Sequence, residues 1–392
     1  MRRTSALAIV LLLSATAATS AAAVQAPGAK TAASSDTHVV RRPVGVRAAR
    51  ALGPTGEMRG MALNDGVQGR VLESTIADFP RLAAEGVTSV AVYVYLYVDS
   101  PTGSTVSTGT LTPTDPELQL VAQAAQLNGL GLQLAPVLLD HATNTWRGNY
   151  RPDDLGAFFA SYTPQVLRYA DLAQSLGATL VYVGSENRFL EPATARWKTL
   201  IAATRKHYSG ALAYLAIPES AHQVKFWDSL DLAAISPYFS LGVDALPSYD
   251  RIVRAWREVN LPAIQKIAKS TRTPLVYGEV GYNSQKGAFT YPAFSATLTG
   301  TPAPAAQADA YRALLDVLAQ TPWVYGVTWW RWATGTTLAD VTFSPSGKPA
   351  ECQIALHWSQ DANVRALASL PVCDLHPLDA TLGGVPLPVI KR

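Results

Sequence analysis

The chain has 392 residues, of which 48% are hydrophobic and 16% charged, and its formal net charge is +3. This composition belongs to a globular protein with ample material for a core, large enough for one big domain or two ordinary ones. The charge is small for the length and no Lys/Arg block accompanies an aromatic stripe, which argues against nucleic acid as a partner.

The N-terminus opens with Arg2 and Arg3, then the apolar run Ala6–Leu13, then Ser/Ala/Thr-rich sequence through Ala23. A charged head, a short apolar core and a small-residue zone form the pattern of a secretory signal peptide. The predicted signal peptide spans 1–26; the apolar core is too short and too diluted for a convincing membrane span, the alternative being an uncleaved anchor. The chain is thus expected to be secreted or periplasmic, with no membrane attachment after cleavage. Residues 27–53 are rich in Ala, Ser, Pro and Arg without periodicity and read as a flexible linker.

From Met58 onward, short apolar runs alternate with longer segments of helical period. The runs read as strands are Met58–Asn64, Thr88–Asp99, Leu130–Asp140, Thr179–Glu186, Ala211–Ile217, Leu232–Tyr238, Leu275–Val280 and Val324–Trp332. The predicted helices are Ser74–Glu85, Asp115–Asn128, Asp154–Leu176, Ala193–Tyr208, Ala221–Leu230, Tyr249–Thr271 and Ala305–Gln320. Eight strands with helical sequence between them predict an α/β fold, a (β/α)8 TIM barrel over 54–344. A doubly wound open sheet is the rival, but Gly60–Gly69 carries no glycine-rich phosphate fingerprint. Residues 345–392 read as a short C-terminal extension packed on the barrel, with helical sequence near Asp361–Leu370. The chain's two cysteines, Cys352 and Cys373, both lie there. In an exported protein such a pair most simply forms a disulfide; a metal or redox role finds no CxxC or histidine spacing to support it.

A barrel of this kind carries its chemistry on the C-terminal strand ends. Those ends hold Asn64-Asp65, Asp99-Ser100, Asp140-His141, Ser185-Glu186-Asn187, Pro218-Glu219, Ser236-Pro237-Tyr238, Glu279 and Trp329-Trp330-Arg331-Trp332. Glu186 and Glu279 stand out, because a carboxylate at the end of an apolar strand is costly to desolvate unless something uses or pairs it. Strands four and seven face each other across a barrel mouth. Two carboxylates so placed match the acid and the nucleophile or base of glycosidic bond cleavage. The structural alternative is that each pairs with Arg188, Arg331 or a similar cation.

Sugar rings stack their C–H faces on indoles, so the aromatic supply fits a carbohydrate site. Trp146 and Arg147, in the loop TNTWRGNY after strand three, are candidate substrate-binding residues, as are Trp329 and Trp330 on strand eight. Side chains alternate along a strand, so only one of that last pair can face the mouth. Tyr238 is placed to hydrogen-bond the strand-seven carboxylate, or else to be a buried aromatic. Asn187 could bind a sugar hydroxyl or simply close the turn. The six histidines show no metal-ligand spacing, and no GxSxG elbow occurs, so no cofactor or metal is expected.

Taken together, the stretches APVLLD (135–140), WRGNY (146–150), DLGAFFASY (154–162), YVGSEN (182–187) and RWKTLI (196–201) resemble glycoside hydrolase family 113. HYSGALAY (207–214), FWDSLDLAAISPYFSL (226–241), YGEVGY (277–282) and GVTWWRW (326–332) continue the resemblance in the family's order. The resemblance covers most of residues 58–334 and implies a TIM barrel and hydrolysis of β-linked polysaccharide with retention, β-1,4-mannan being the leading substrate. By position it implies that Glu186 is the acid/base and Glu279 the nucleophile. Ser185 stands directly before the acid/base, where many relatives in the wider clan carry Asn, and Asn187 follows where an apolar residue is expected. The chain is expected to act on polysaccharide or oligosaccharide as a monomer. The alternatives are a non-catalytic carbohydrate-binding barrel and a hydrolase or transglycosylase of envelope glycans.

Overall fold

A computed structural model describes residues 39–63, 70–140, 142–143, 145–293, 299–370, 373 and 375. The signal peptide, the linker up to residue 38, Asn64-Asp65, His141 and the tail from 376 lie outside the described residues.

The eight expected strands are all present: β1 Met58–Leu63, β2 Ser89–Val98, β3 Gly131–Asp140, β4 Leu180–Ser185, β5 Ala211–Ala216, β6 Leu232–Ile235, β7 Leu275–Val280 and β8 Val324–Trp332. Each pairs in parallel with the next, and β8 returns to β1 with Met58 opposite Gly326, so the sheet closes. The fold is a (β/α)8 barrel. Closure removes the edge strands, and both faces of every strand are then buried, which explains the near-continuous apolar runs in the sequence.

Two apolar layers result. Inside the barrel, small side chains such as Ala135, Ala211, Ala213 and Ala234 make room for Tyr93, Tyr182 and Tyr325. Outside, the strands' other faces pack on the helices through Val90, Leu134, Val183, Tyr277 and Trp329. Gln133 is a polar exception inside, its amide donating to Ser89 at 2.7 Å.

The helices are α1 Val46–Leu52, α2 Arg70–Ala77, α3 Phe79–Ala84, α4 Asp115–Leu127, α5 Leu155–Ser175, α6 Thr194–His207, α7 Tyr249–Ala255, α8 Leu261–Thr271, α9 Pro304–Ala319, α10 Pro349–Trp358 and α11 Ala362–Ala368. None is long and apolar enough to cross a membrane. Several depart from the sequence expectations. Residues 46–52, expected within the flexible linker, form α1, whose Ala48, Ala51 and Leu52 join the barrel-interior cluster. Three small or compact apolar side chains on one short helix are a weak periodic signal, and burial against the barrel decides the matter. The single helix expected over 74–85 is two, because Pro80 at the start of α3 cannot donate back into a preceding turn. The helix expected over 221–230 is absent; a lone 3₁₀ turn, Trp227–Ser229, stands in its place. There Phe226 and Trp227 are buried side by side against Trp197 and Tyr214, and that packing overrides the local helical spacing. The helix expected over 249–271 runs on through a π-helical turn, Trp256–Asn260.

The C-terminal extension adds a helix to the outer ring. Pro349–Trp358, expected within the extension packed on the barrel, is the helix that follows β8 and lies beside α9. Ala350, Ile354 and Trp358 belong to the main core. Arg81 of α3, 1% exposed, pairs with Glu351 of α10 and, at 3.0 Å, with Asp78. The Cys352–Cys373 disulfide therefore fastens the segment after α11 to a barrel helix.

Candidate active site

Glu186 directly follows β4 and has a φ of 53°, in the left-handed region. For a residue with a Cβ that conformation costs about 1–2 kcal/mol, so the surroundings must hold it. They do so through consecutive amides. Glu186 N–H donates to the Leu215 carbonyl at 2.6 Å, and Asn187 N–H donates to the Tyr214 hydroxyl at 3.1 Å, both acceptors lying on β5. The Tyr214 hydroxyl in turn donates to Glu191 Oε1 at 3.1 Å. Glu191 is fully buried, and burial, then the nearby Glu186 charge, pushes its carboxyl up to about 7 against the pull of Ser220 and Tyr214.

The turn aims the Glu186 carboxylate into the mouth of the barrel. Its Oε1 accepts from the Ser236 hydroxyl just past β6, and its Oε2 accepts from the Trp146 indole N–H at 3.1 Å. Glu279 enters from β7. Tyr93 of β2 donates to its Oε2 at 2.7 Å and Tyr238 to its Oε1 at 2.9 Å, so both oxygens are oriented. Burial and then the charge of Glu279 hold both phenols well above their ordinary pKa, which keeps them donors.

Arg147 joins the two carboxylates. Its Nη2 stands 2.9 Å from Glu186 Oε2 and 3.8 Å from Glu279 Oε2. The two oxygens are thus no more than about 6.7 Å apart, the sum of those distances. Burial works against the Arg147 charge, but the two carboxylates outweigh it and hold its pKa above the ordinary value. For Glu279 the balance runs the other way. Burial and the Glu186 charge raise its pKa, more than Arg147, Tyr93 and Tyr238 lower it. A pair of carboxyls so close releases its protons in two steps that belong to the pair.

These groups line a cavity of about 360 Å³, with Tyr95, Glu219 and Trp330 among the other walls. Trp330 meets the Tyr93 ring edge-on, centroids 4.8 Å apart. Glu186, Glu279, Trp146, Arg147, Tyr238 and Trp330 are therefore brought together. Trp329 and Asn187 are not. Trp329 is fully buried on the outer face of β8, stacked 4.0 Å from Tyr311 of α9, so it is a core residue. Asn187 is 2% exposed and its carbonyl accepts from the amides of Leu190 and Glu191, which makes it a turn residue.

The sequence profile of Glycoside Hydrolase Family 113 matches residues 68–342. The chain belongs to glycoside hydrolase family 113. It is a glycoside hydrolase, and its substrate is a carbohydrate. Among solved structures it is similar to the family 113 β-mannanase AaManA from Alicyclobacillus acidocaldarius, with 26% identity over 78% of this chain and 97% of that one and a TM-score of 0.68. A second family 113 β-1,4-mannanase gives 25% identity, 78% and 99% coverage and a TM-score of 0.67. A fungal β-1,4-galactanase, at 16% identity over 76% of this chain and 99% of that one, has a TM-score of 0.50 and shares the fold. No curated protein sequence gives a significant match.

Sequence reasoning missed Tyr93 and Ser236. Tyr93 begins the alternation Tyr93, Tyr95, Tyr97 along β2, a signal that one face of this strand carries polar aromatics toward the mouth. Ser236 offers only its place at a strand end.

Proposed function

We propose that this family 113 enzyme hydrolyses β-1,4-linked mannan by double displacement with retention, Glu279 acting as nucleophile and Glu186 as acid/base. The observation that carries the reading is the bound of about 6.7 Å between the two Oε2 atoms. It is compatible with the carboxyl spacing of about 5–5.5 Å that retention needs. The mannan assignment rests on the two similar structures, both of them β-mannanases.

The roles rest on the family resemblance by position, and the surroundings of Glu279 are compatible with them. Tyr93 and Tyr238 orient both oxygens of Glu279, which suits an ionised carboxylate waiting for the anomeric carbon. In the first step a Glu279 oxygen bonds to that carbon as Glu186 gives its proton to the departing glycosidic oxygen. In the second, Glu186 takes a proton from water, the water oxygen bonds to the same carbon, and the bond to Glu279 breaks. Two inversions return the original anomer. With the N-terminal sequence pattern, the enzyme works outside the cytoplasm after the leader is removed.

The test is hydrolysis of β-1,4-manno-oligosaccharides with product stereochemistry followed by NMR. The β-anomer should appear first, and Glu279→Ala should abolish turnover. Wild-type rates in that variant would sink the assignment, and first appearance of the α-anomer would sink retention.

A further inference from the structure

The residues that follow the acid/base build a charged ledge outside the cavity. Arg188 Cζ lies 4.6 Å from the Phe189 ring centroid and 5.4 Å from the Trp146 ring centroid. Arg151, from the end of the loop that carries Trp146, lies 3.6 Å from Phe189 on the same measure. All three contacts are within the reach of about 6 Å at which a cation is drawn to an aromatic face. Trp146 and Phe189 remain 39% and 37% exposed, so they offer ring surface to solvent. Trp146 is also a wall of the catalytic cavity, which makes the ledge continuous with it.

Among the described residues neither guanidinium forms a salt bridge, although the Arg188 charge acts on the buried Glu191 carboxyl. Arg188 spends its Nε on the Gly148 carbonyl at 2.8 Å and its Nη2 on Asn149 Oδ1 at 2.6 Å, both neutral acceptors. Two stacked cations, Arg188 with the donors that Gly148 and Asn149 do not take, are matched by a planar carboxylate, the group a guanidinium binds best. The position adds a direction. The acid/base protonates the departing oxygen, so groups beyond Glu186 and Trp146 face the leaving-group part of the glycan.

Resting on the hydrolase reading above, we infer that Trp146, Arg188, Phe189 and Arg151 form a leaving-group subsite for a carboxylate-bearing sugar, a uronic acid residue in or on the β-linked chain. The rings stack on the sugar face while the guanidiniums take its carboxylate. The enzyme then favours acidic over neutral glycans of the same backbone, and the preference is electrostatic.

The experiment uses the whole protein and matched β-1,4-manno-oligosaccharides, one neutral and one oxidised to the uronate at C6 of a leaving-group-side sugar. The ratio of kcat/KM, uronate over neutral, should be about five to ten in low salt, the sum of two partly exposed charge contacts. It should fall towards one in 1 M NaCl, where the screening length shrinks to about 3 Å. Arg151→Gln should lower the ratio about two- to fivefold, and Arg151→Lys should restore part of it, with melting temperatures measured to verify folding. A ratio of one or below in the wild type, with neutral substrate cleaved, overturns the subsite and leaves the hydrolase reading intact. If neither substrate is cleaved, the mannan reading falls, and calorimetric binding of the same two oligosaccharides still decides: equal affinities overturn the subsite, and salt-sensitive preference for the uronate supports it.

Discussion

Tyr214 on β5 accepts the backbone N–H of Asn187 at 3.1 Å, one residue past Glu186. This hydrogen bond explains why a polar turn can sit at the end of an apolar strand with its glutamate in a left-handed conformation. The phenol receives the amide and directs its own proton to Glu191, so it needs both partners. Tyr214→Phe should leave a buried N–H unpaired, at a cost of about 1–3 kcal/mol in stability. With the Glu186 turn loosened, kcat should fall about tenfold while KM changes little, as expected when a proton donor is misplaced and the sugar-binding groups stay intact. Steady-state kinetics on β-mannan oligosaccharides would check this, and a variant altered in KM alone would contradict it.

The raised pKa of Glu279 gives a second expectation. Burial and the charge of Glu186 both push it up. Glu186→Gln removes the charge and keeps the shape, so the Glu279 pKa should drop. An aryl β-mannoside with a good leaving group needs no proton donor, so the variant can still form the glycosyl-enzyme. The acid limb of kcat/KM for that step should shift to lower pH in Glu186→Gln. An unmoved limb would show that burial alone sets the value.

Glu191 couples the site to stability. Its folded pKa of about 7 stands above the ordinary carboxylate value of 4.5, so the folded state holds the proton more tightly. As pH rises from about 4.5 to about 7 the unfolded chain gives up its proton first, and stability falls by an amount on the order of 3 kcal/mol. Glu191→Gln still accepts from Tyr214 and cannot titrate. Its denaturant midpoint should vary less between pH 5 and 8 than the wild type's, and parallel curves would refute the assignment.

The adjacent tryptophans of β8 should separate cleanly. Trp330 lines the cavity, so Trp330→Ala should raise KM about tenfold as a stacking surface worth about 1.4 kcal/mol disappears, with a modest effect on folding. Trp329 is stacked in the core, and Trp329→Ala should cost about 3–5 kcal/mol of stability. Chemical denaturation and kinetics on both variants would test the contrast.

The positions of all eight strands were legible in the sequence, because a barrel strand is buried on both faces and leaves a continuous apolar run. Glu186 and Glu279 were legible for a related reason: a carboxylate ending such a run is a costly feature that calls for a use. Helix boundaries were less legible where packing competes with periodicity. The stretch 221–230 has the spacing of a helix, yet Phe226 and Trp227 are drawn into an aromatic cluster. That residues 349–358 form a helix within the extension packed on the barrel shows only in their burial against α9 and the pairing of Glu351 with Arg81.

What the sequence by itself determined is the closed barrel, the pair of glutamates and the aromatic supply around them. These depend on local patterns, period two or continuous burial in strands and period 3.6 in helices, that any segment carries alone. Only the tertiary structure decided which side chains meet. That Trp330 rather than Trp329 faces the mouth depends on how β8 is set against α9. That Tyr93 and Tyr238 converge on Glu279 while Arg147 joins it to Glu186, and that Tyr214 steadies the turn of Glu186, depends on bringing together strands far apart in the chain. Hydrogen bonds and charge coupling act over a few ångströms, and only the closed sheet sets those distances.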